Sequence, residues 1–325
     1  MNTDVVVLAL LRDDADATFW KTDFEAIPGI VVTATGESVV DVCHDLAELN
    51  LSPGFIIVSS RIYPDGQAMG IESLRNLYPA AEILIVSPAT DPLPSVSPLL
   101  RDGVRNLVVA PAAGSAGGTD RTCSALGMAV SSLAAGRERR MATCLRPGTV
   151  IREFLLTSSS QKEMVLSHLD KSVEGESAEV EFLRQRAALI ADEMIENALY
   201  GAPRDSDGTR LFKKGECREL LAGERIVFRF GFDGENLAME VADGWGSLRP
   251  EDVIDHFKRN RERDGLPPMD GGLGLFLIWR FMDHLHVSIS PGRETVVGGH
   301  VKLASPDGIE DIKGFHITAS SACMQ

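Results

Sequence analysis

No run of about 18 apolar residues occurs in the 325-residue chain, so the sequence offers no segment that would cross a bilayer as a helix. Met1-Asn2-Thr3-Asp4 lacks the basic region that opens a secretory signal. The five cysteines (Cys43, Cys123, Cys144, Cys217 and Cys323) show no metal-ligand spacing. An odd, dispersed set fits a reducing cytoplasm better than a disulfide framework. Positive charge is scarce: 32 Lys and Arg stand against 47 Asp and Glu, a formal net charge of −15. Such a surface would repel nucleic-acid phosphates, although a local basic loop can still hold a single nucleotide. There is no internal repeat. The expectation is a cytoplasmic chain with no membrane and no nucleic-acid partner. What is present, 44% hydrophobic and 24% charged residues, is ordinary for globular domains, and the length suits about two of them.

The first of these is legible in its apolar runs. Val5 to Leu11, Ile30 to Ala34, Phe55 to Val58, Ile83 to Val86 and Leu107 to Val109 are continuous and rich in β-branched residues. Runs of that kind suit strands buried on both faces of a parallel sheet. Helical patterns over 38–49 and 70–77 lie between them, which predicts a doubly wound α/β domain over residues 1–112. The layout resembles the receiver domain of response regulators, most clearly at Ser60-Arg61-Ile62-Tyr63-Pro64-Asp65-Gly66, where receivers place an acceptor Asp four residues before a proline turn. Here Ser60 takes the acceptor position. Leu10 and Leu11 occupy the place of the acidic Mg²⁺ ligands, with Asp13 and Asp14 late. Ser87 fits the hydroxyl after the fourth strand, and Ala110-Pro111 replaces Lys-Pro after the fifth. The resemblance therefore implies a receiver-like (flavodoxin-like) fold without the receiver's phosphorylation chemistry: a pseudo-receiver, or a plain interaction domain of the same fold.

A small-residue stretch, Ala112 to Gly118, opens a connector over 113–148. A helix is expected over 120–140, with Leu126, Ala129, Val130 and Leu133 on one face and arginines at its end, as the helix dipole prefers. It can serve as the last helix of the first domain or support a homodimer. His168 lies on a single short helix expected over 161–173 and reads as a packing or surface histidine.

The chemistry-bearing residues lie in the second half. A long helix over 180–200 keeps Leu183, Ala187, Ile190, Met194 and Ala198 on its apolar face and carries Glu193 and Asn197 four residues apart, hence on one side. An amide oxygen can serve Mg²⁺, and a carboxylate one turn away can act as a general base; an exposed polar face is the plainer alternative. A hairpin over 225–241 ends in Ala242-Asp243-Gly244-Trp245-Gly246, where a buried Asp can accept a hydrogen bond from an adenine amino group or simply form a turn. A polar segment over 250–263 carries Lys258, Arg259, Arg261 and Arg263, suited to a lid over phosphates or to a solvated face. Gly271-Gly272-Leu273-Gly274-Leu275 then leads into a helix with Leu275, Ile278, Met282 and Leu285 at helical spacing. Glycines permit close backbone approach, and a helix N-terminus presents unpaired N–H groups to phosphate.

Taken in this order, the segments resemble the GHKL ATPase superfamily, which includes the ATP domains of gyrase and histidine kinases, over residues 149–305. Within it they are most similar to the anti-sigma-factor serine kinases. The resemblance implies a GHKL/Bergerat α/β two-layer sandwich that binds ATP with Mg²⁺. It makes Glu193 the catalytic base and Asn197 the Mg²⁺ ligand. Asp243 becomes the adenine partner and Gly246 shapes its pocket, while Gly272, Leu273 and Gly274 cradle phosphates and Lys258 and Arg261 supply lid contacts. The partner would be a protein such as an anti-sigma antagonist or a sigma factor. Two departures are visible. Asp243-Gly244-Trp245-Gly246 is one residue tighter than the family's Asp-x-Gly-x-Gly. Gly298-Gly299-His300-Val301 stands where the family often has Gly-Thr-Thr-Val, which implies the loss of a hydroxyl near adenine. The function expected is a serine/threonine protein kinase under pseudo-receiver control; the alternative is an ATP-dependent binding switch without catalysis. Residues 306–325 are expected to be a tail.

Overall fold

The computed structural model describes residues 6–25, 27, 30–39, 52–62, 71–88, 99, 102–110, 126, 129–130, 141–261, 273–303 and 314–320. The chain divides into two compact units, Met1–Glu138 and Arg139–Gln325.

In the first unit the apolar runs become β1 (Val6–Leu11), β2 (Ile30–Thr35), β3 (Phe55–Ser59), β4 (Glu82–Pro88) and β5 (Asn106–Ala110). All pairings are parallel, in the order β2-β1-β3-β4-β5. That is the doubly wound order of flavodoxin-like sheets. Helix α1 (Asp14–Glu25) follows β1, with Asp14 and Asp16 in its first turn, where carboxylates favour the dipole. Its Trp20 and Phe24 pack with Val7, Ala9 and Leu11, and Leu126, Ala129 and Val130 join the same cluster. Those three are the described part of the helix expected over 120–140; its remainder and the body of the helix expected over 38–49 lie outside the described residues. Helix α2 (Ile71–Leu77) matches the second expected helix.

Ser60 opens a single 3₁₀ turn directly after β3, buried, and donates to Ser87 Oγ at 2.9 Å. The buried carboxylate here is Asp16 rather than Asp13 or Asp14. It accepts from Trp20 Nε1 at 3.2 Å and from the Arg12 backbone N–H at 3.1 Å, and it pairs with Arg61 at 3.4 Å. Its acceptor capacity is thus taken by protein donors, and Ser60 is shielded. Incubation with acetyl phosphate and Mg²⁺ is therefore expected to leave Ser60 unmodified; a gain of one phosphate there by mass spectrometry would contradict this.

In the second unit six strands run in the order β11-β9-β10-β8-β7-β6. They are β6 (Arg152–Leu156), β7 (Ile226–Phe232), β8 (Asn236–Asp243), β9 (His284–Ser290), β10 (Glu294–Lys302) and β11 (Gly314–Ala319). The first five pair antiparallel, and β11 lies parallel to β9. Alternation sorts the sheet into two faces. One is apolar: Phe154, Phe228, Val241, Met239, Leu285, Val287, Phe315 and Ile317 belong to it. The other aligns Glu153, Arg229, Glu240, Gly298, His286 and His316 across all six strands in register. Arg229 bridges Glu153 at 2.6 Å and Glu240 at 3.1 Å, so the buried Glu240 has a cationic partner.

The helices are α3 (Lys162–Ser172), α4 (Ala178–Glu196), α5 (Pro250–Arg261) and α6 (Leu273–Phe281). α4 packs on α3, α6, β8 and β10, and α5 packs on α6 and β11. Phe257 of α5 stacks on Trp279 of α6 with ring centroids 4.4 Å apart, and both meet Phe315. Two expectations fail here. Leu285 belongs to β9, because α6 ends at Phe281 and the Asp283 N–H turns to His300 O at 2.9 Å. Residues 314–319, expected as tail, form β11, whose Phe315 and Ile317 fill the apolar face. Among the described residues, no helix is long and apolar enough to cross a membrane.

Candidate functional site

Ser177 caps α4 by accepting from the Val180 N–H, and Val180, Leu183, Ala187, Ile190 and Met194 bury one face of the helix. The α-helical pattern stops at Glu196, and Asn197–Gly201 continues as one π-helical turn. Such turns change the direction of the side chains that leave them and recur at functional sites. Glu193 and Asn197 thus stand one turn apart at the end of a helix held from beneath.

Gly274 is the second residue of α6. A methyl group added to it would lie 2.5 Å from Glu193 Oε2, 3.0 Å from Asn197 Nδ2 and 3.1 Å from Asn197 Oδ1. Three sequence candidates therefore meet in space, and only glycine leaves room between them. Leu273 supplies the first turn of α6. Gly271, Gly272 and the side chains of Leu273, Lys258 and Arg261 lie outside the described residues, although Lys258 and Arg261 fall within α5.

Asp243 ends β8 with its carboxyl buried. Its Oδ1 accepts from the Trp245 N–H at 2.9 Å. Burial pushes this carboxyl up to about 7; the Trp245 and Gly246 N–H groups pull the other way, and Glu294 and Glu224 add to the rise. Gly246 has φ +56°, and an added methyl group would strike the backbone of the β9–β10 turn, 2.6 Å from Arg293 N and 2.7 Å from Gly292 N. It locks the turn after Asp243 against that hairpin, helped by Gly292 N–H donating to Gly246 O at 3.0 Å.

Five residues outside the sequence candidates belong to this region: Thr295, Glu224, Arg218, Lys214 and Lys162. Thr295 pairs directly with Asp243 across β10 and β8, so both point to the helix-covered face, and its hydroxyl is buried with no hydrogen-bond partner among the described residues. A hydroxyl beside Asp243 is thus present, three residues before Gly298-Gly299 rather than after them. Its signal was the β-branched run Thr295-Val296-Val297, which reads as the start of a strand. Glu224 accepts from Trp245 Nε1 at 3.0 Å and pairs with the buried Arg218. Arg218 in turn donates to Leu199 O at 2.9 Å and lies 3.8 Å over the Phe212 ring. Trp245 is therefore held at its indole N–H instead of merely packing. Lys214 reaches Glu193 Oε1 at 3.4 Å and Glu196 Oε2 at 2.9 Å. Glu196 also receives Lys162 at 2.7 Å. Burial alone would raise the Glu196 carboxyl, but the two lysines outweigh it and hold it below the usual range. Lys214 is raised, first by its hydrogen bond to Glu196. Neither lysine has a sequence signal, because both reach the helix end from outside it.

No family model matches the sequence, and no curated protein matches it. Among solved structures the chain is similar to a "putative pilus assembly-related protein" from Burkholderia pseudomallei, at 18% identity and a TM-score of 0.31, over 43% of this chain and 96% of that one. A likeness of that size leaves the site to be argued from its own residues.

Proposed function

We propose that the second unit is a GHKL-type nucleotide-binding module that takes ATP with Mg²⁺, and that the chain is a signalling regulator of the anti-sigma serine/threonine kinase kind, with the first unit acting as a pseudo-receiver. The observation that carries this reading is the seat of Gly274 against both Glu193 and Asn197. An ordinary turn before a buried helix has no need of glycine against a carboxylate and an amide. The buried Asp243 and the Thr295 hydroxyl, which has no partner among the described residues, fit the same group, since together they offer an acceptor and a donor for the edge of a purine.

In this reading the nucleotide and its metal supply the transferable phosphoryl group and the charge that polarises it. The chain's own residues do the rest. Asp243 and Thr295 fix the base, Gly274 leaves the phosphate end open, and Asn197 offers its amide oxygen to the metal. Glu193 accepts the proton of a partner's Ser or Thr hydroxyl. The first test is calorimetric titration of ADP and of a non-hydrolysable ATP analogue with Mg²⁺, beside a labelled-phosphate transfer assay. Glu193→Ala is expected to cut transfer by about a hundredfold or more while changing nucleotide affinity by less than about threefold.

A second reading has its own observation. Glu193 is engaged by Lys214 at 3.4 Å, so its Oε1 already has a partner where a substrate hydroxyl would have to approach. An ATP-dependent switch that binds a protein partner without transferring phosphate fits that arrangement. Wild-type protein that binds nucleotide but labels no partner, with regulation intact in Glu193→Ala, would favour it.

A further inference from the structure

The segment between α4 and β7 is long for a connection inside a compact domain, running from Ala202 to Arg225 without regular structure of its own. It is nonetheless held firmly. Tyr200 Oη donates to Glu216 O at 2.5 Å, the Lys213 N–H donates to Glu216 Oε2 at 3.2 Å, and Gly215 turns the chain at φ +85°. Two residues further on, Arg218 ties the segment to Leu199 and Glu224. The turn over 213–216 is thereby fixed beside the end of α4, and Lys214 projects from it onto Glu193 and Glu196.

The charge at this spot needs a cation. Asp192, Glu193 and Glu196 crowd one end of α4 and would repel an incoming polyphosphate. Lys162 answers Asp192 and Glu196 at 2.7 Å each. It is the more buried of the two lysines, with 19% of its side chain exposed against 59% for Lys214. Lys214 is the one that touches Glu193, and its exposed side chain is free to exchange a carboxylate for a stronger anion. Glu193 in turn abuts Gly274, so the Lys214 ammonium stands at the glycine end of the site.

We propose that Lys214 is a ligand of the terminal phosphate of a bound nucleoside triphosphate, delivered by the segment over 202–225, and that this contact frees Glu193 from its ion pair. The proposal rests on the nucleotide reading of the site and adds to it a residue that distinguishes a triphosphate from a diphosphate. A bound diphosphate leaves Lys214 on Glu193 and Glu196; a triphosphate draws it away.

The test is calorimetry with Mg²⁺, titrating ADP and a β,γ-imido ATP analogue into the full chain as wild type, Lys214→Met and Lys214→Arg, with thermal melting of each variant. Lys214→Met is expected to weaken the triphosphate analogue by about tenfold, in the range of one charge-assisted contact, and ADP by less than about twofold. Lys214→Arg, which keeps the charge, is expected to recover most of the difference. Equal loss of both nucleotides in Lys214→Met, or no loss of either, overturns the proposal, the first by making Lys214 a prop for the loop. If Lys214→Met fails to fold, an unchanged ratio of the two affinities in Lys214→Gln overturns it equally. A wild type that binds neither nucleotide removes the underlying site as well, an outcome seen before any variant is compared.

Discussion

Alanine at position 274 is expected to remove nucleotide binding and phosphotransfer while leaving the protein folded. Gly274 lies in the first turn of α6 and is not among the glycines with positive φ, so alanine brings no backbone strain there. What its methyl group meets is the end of two flexible side chains, Glu193 Oε2 at 2.5 Å and the Asn197 amide at 3.0 and 3.1 Å. Both can swing aside at little cost to stability, but in doing so they leave the arrangement that defines the site. Displacing reacting groups by about 1 Å can cost a factor of about 100 in rate. The methyl group also closes the space through which a phosphate would approach the backbone. Calorimetry should therefore show affinity for the ATP analogue lowered by about a hundredfold or more. The melting temperature should stay within a few degrees of wild type, the scale of about 1 kcal/mol in a domain of this size. Undiminished affinity in Gly274→Ala would end the reading of this cluster as a nucleotide site.

The parallel sheet of the first unit was legible because burial on both faces leaves one unambiguous mark, the continuous apolar run, and all five runs became strands. In the second unit most strands are also buried on both faces, but buried polar residues such as Glu240, Asp243, His286 and Thr295 interrupt their apolar runs, and a glycine-containing stretch such as Glu294 to Lys302 is easily read as a loop motif. Thr295 was missed for that reason: its meaning depends on a cross-strand partner, Asp243, that lies 52 residues away in sequence and becomes its neighbour only through the β8–β10 register. His284-Leu285-His286-Val287-Ser288 carries the period-two signal plainly, yet Leu285 also falls at helical spacing from Met282 and Ile278, so the two periods compete at that residue. Spacing along one helix was enough to pair Glu193 with Asn197, since the α-helix itself sets their distance. Nothing along the chain could announce Lys214. An exposed lysine in a polar connection looks the same whether it faces water or the Glu193 carboxylate, and only the folding of residues 202–225 against the end of α4 decides.

Nucleotide affinity should rise with pH through neutrality, and Asp243→Asn should remove that rise. Burial holds the Asp243 carboxyl up at about 7, against an ordinary value near 4. An adenine amino group is a hydrogen-bond donor and selects the carboxylate, so binding at lower pH must first expel a proton. At pH 6 roughly one molecule in ten carries the carboxylate, and affinity should be about tenfold below its value at pH 8, with close to one proton released per nucleotide. Titrations in buffers of different ionisation heat read that proton directly. The terminal phosphate of the ligand titrates in the same range, so the decisive quantity is the difference between wild type and Asp243→Asn. The variant keeps an oxygen for the Trp245 N–H but loses the charge-assisted bond, and should bind about 10- to 100-fold more weakly at pH 8. Stability supplies an independent check with the opposite slope. Between about pH 4 and pH 7 the native chain holds a proton that the unfolded chain has lost, so the contribution of Asp243 is present below pH 4 and is lost as pH rises through 7. At about 1.4 kcal/mol per unit over three units the loss is at most on the order of 4 kcal/mol. Urea melts at pH 5 and pH 8 should accordingly show wild type losing ground to Asp243→Asn at the higher pH. Parallel behaviour of the two proteins in both experiments would mean that Asp243 is an ordinary turn carboxylate and that no adenine reads it.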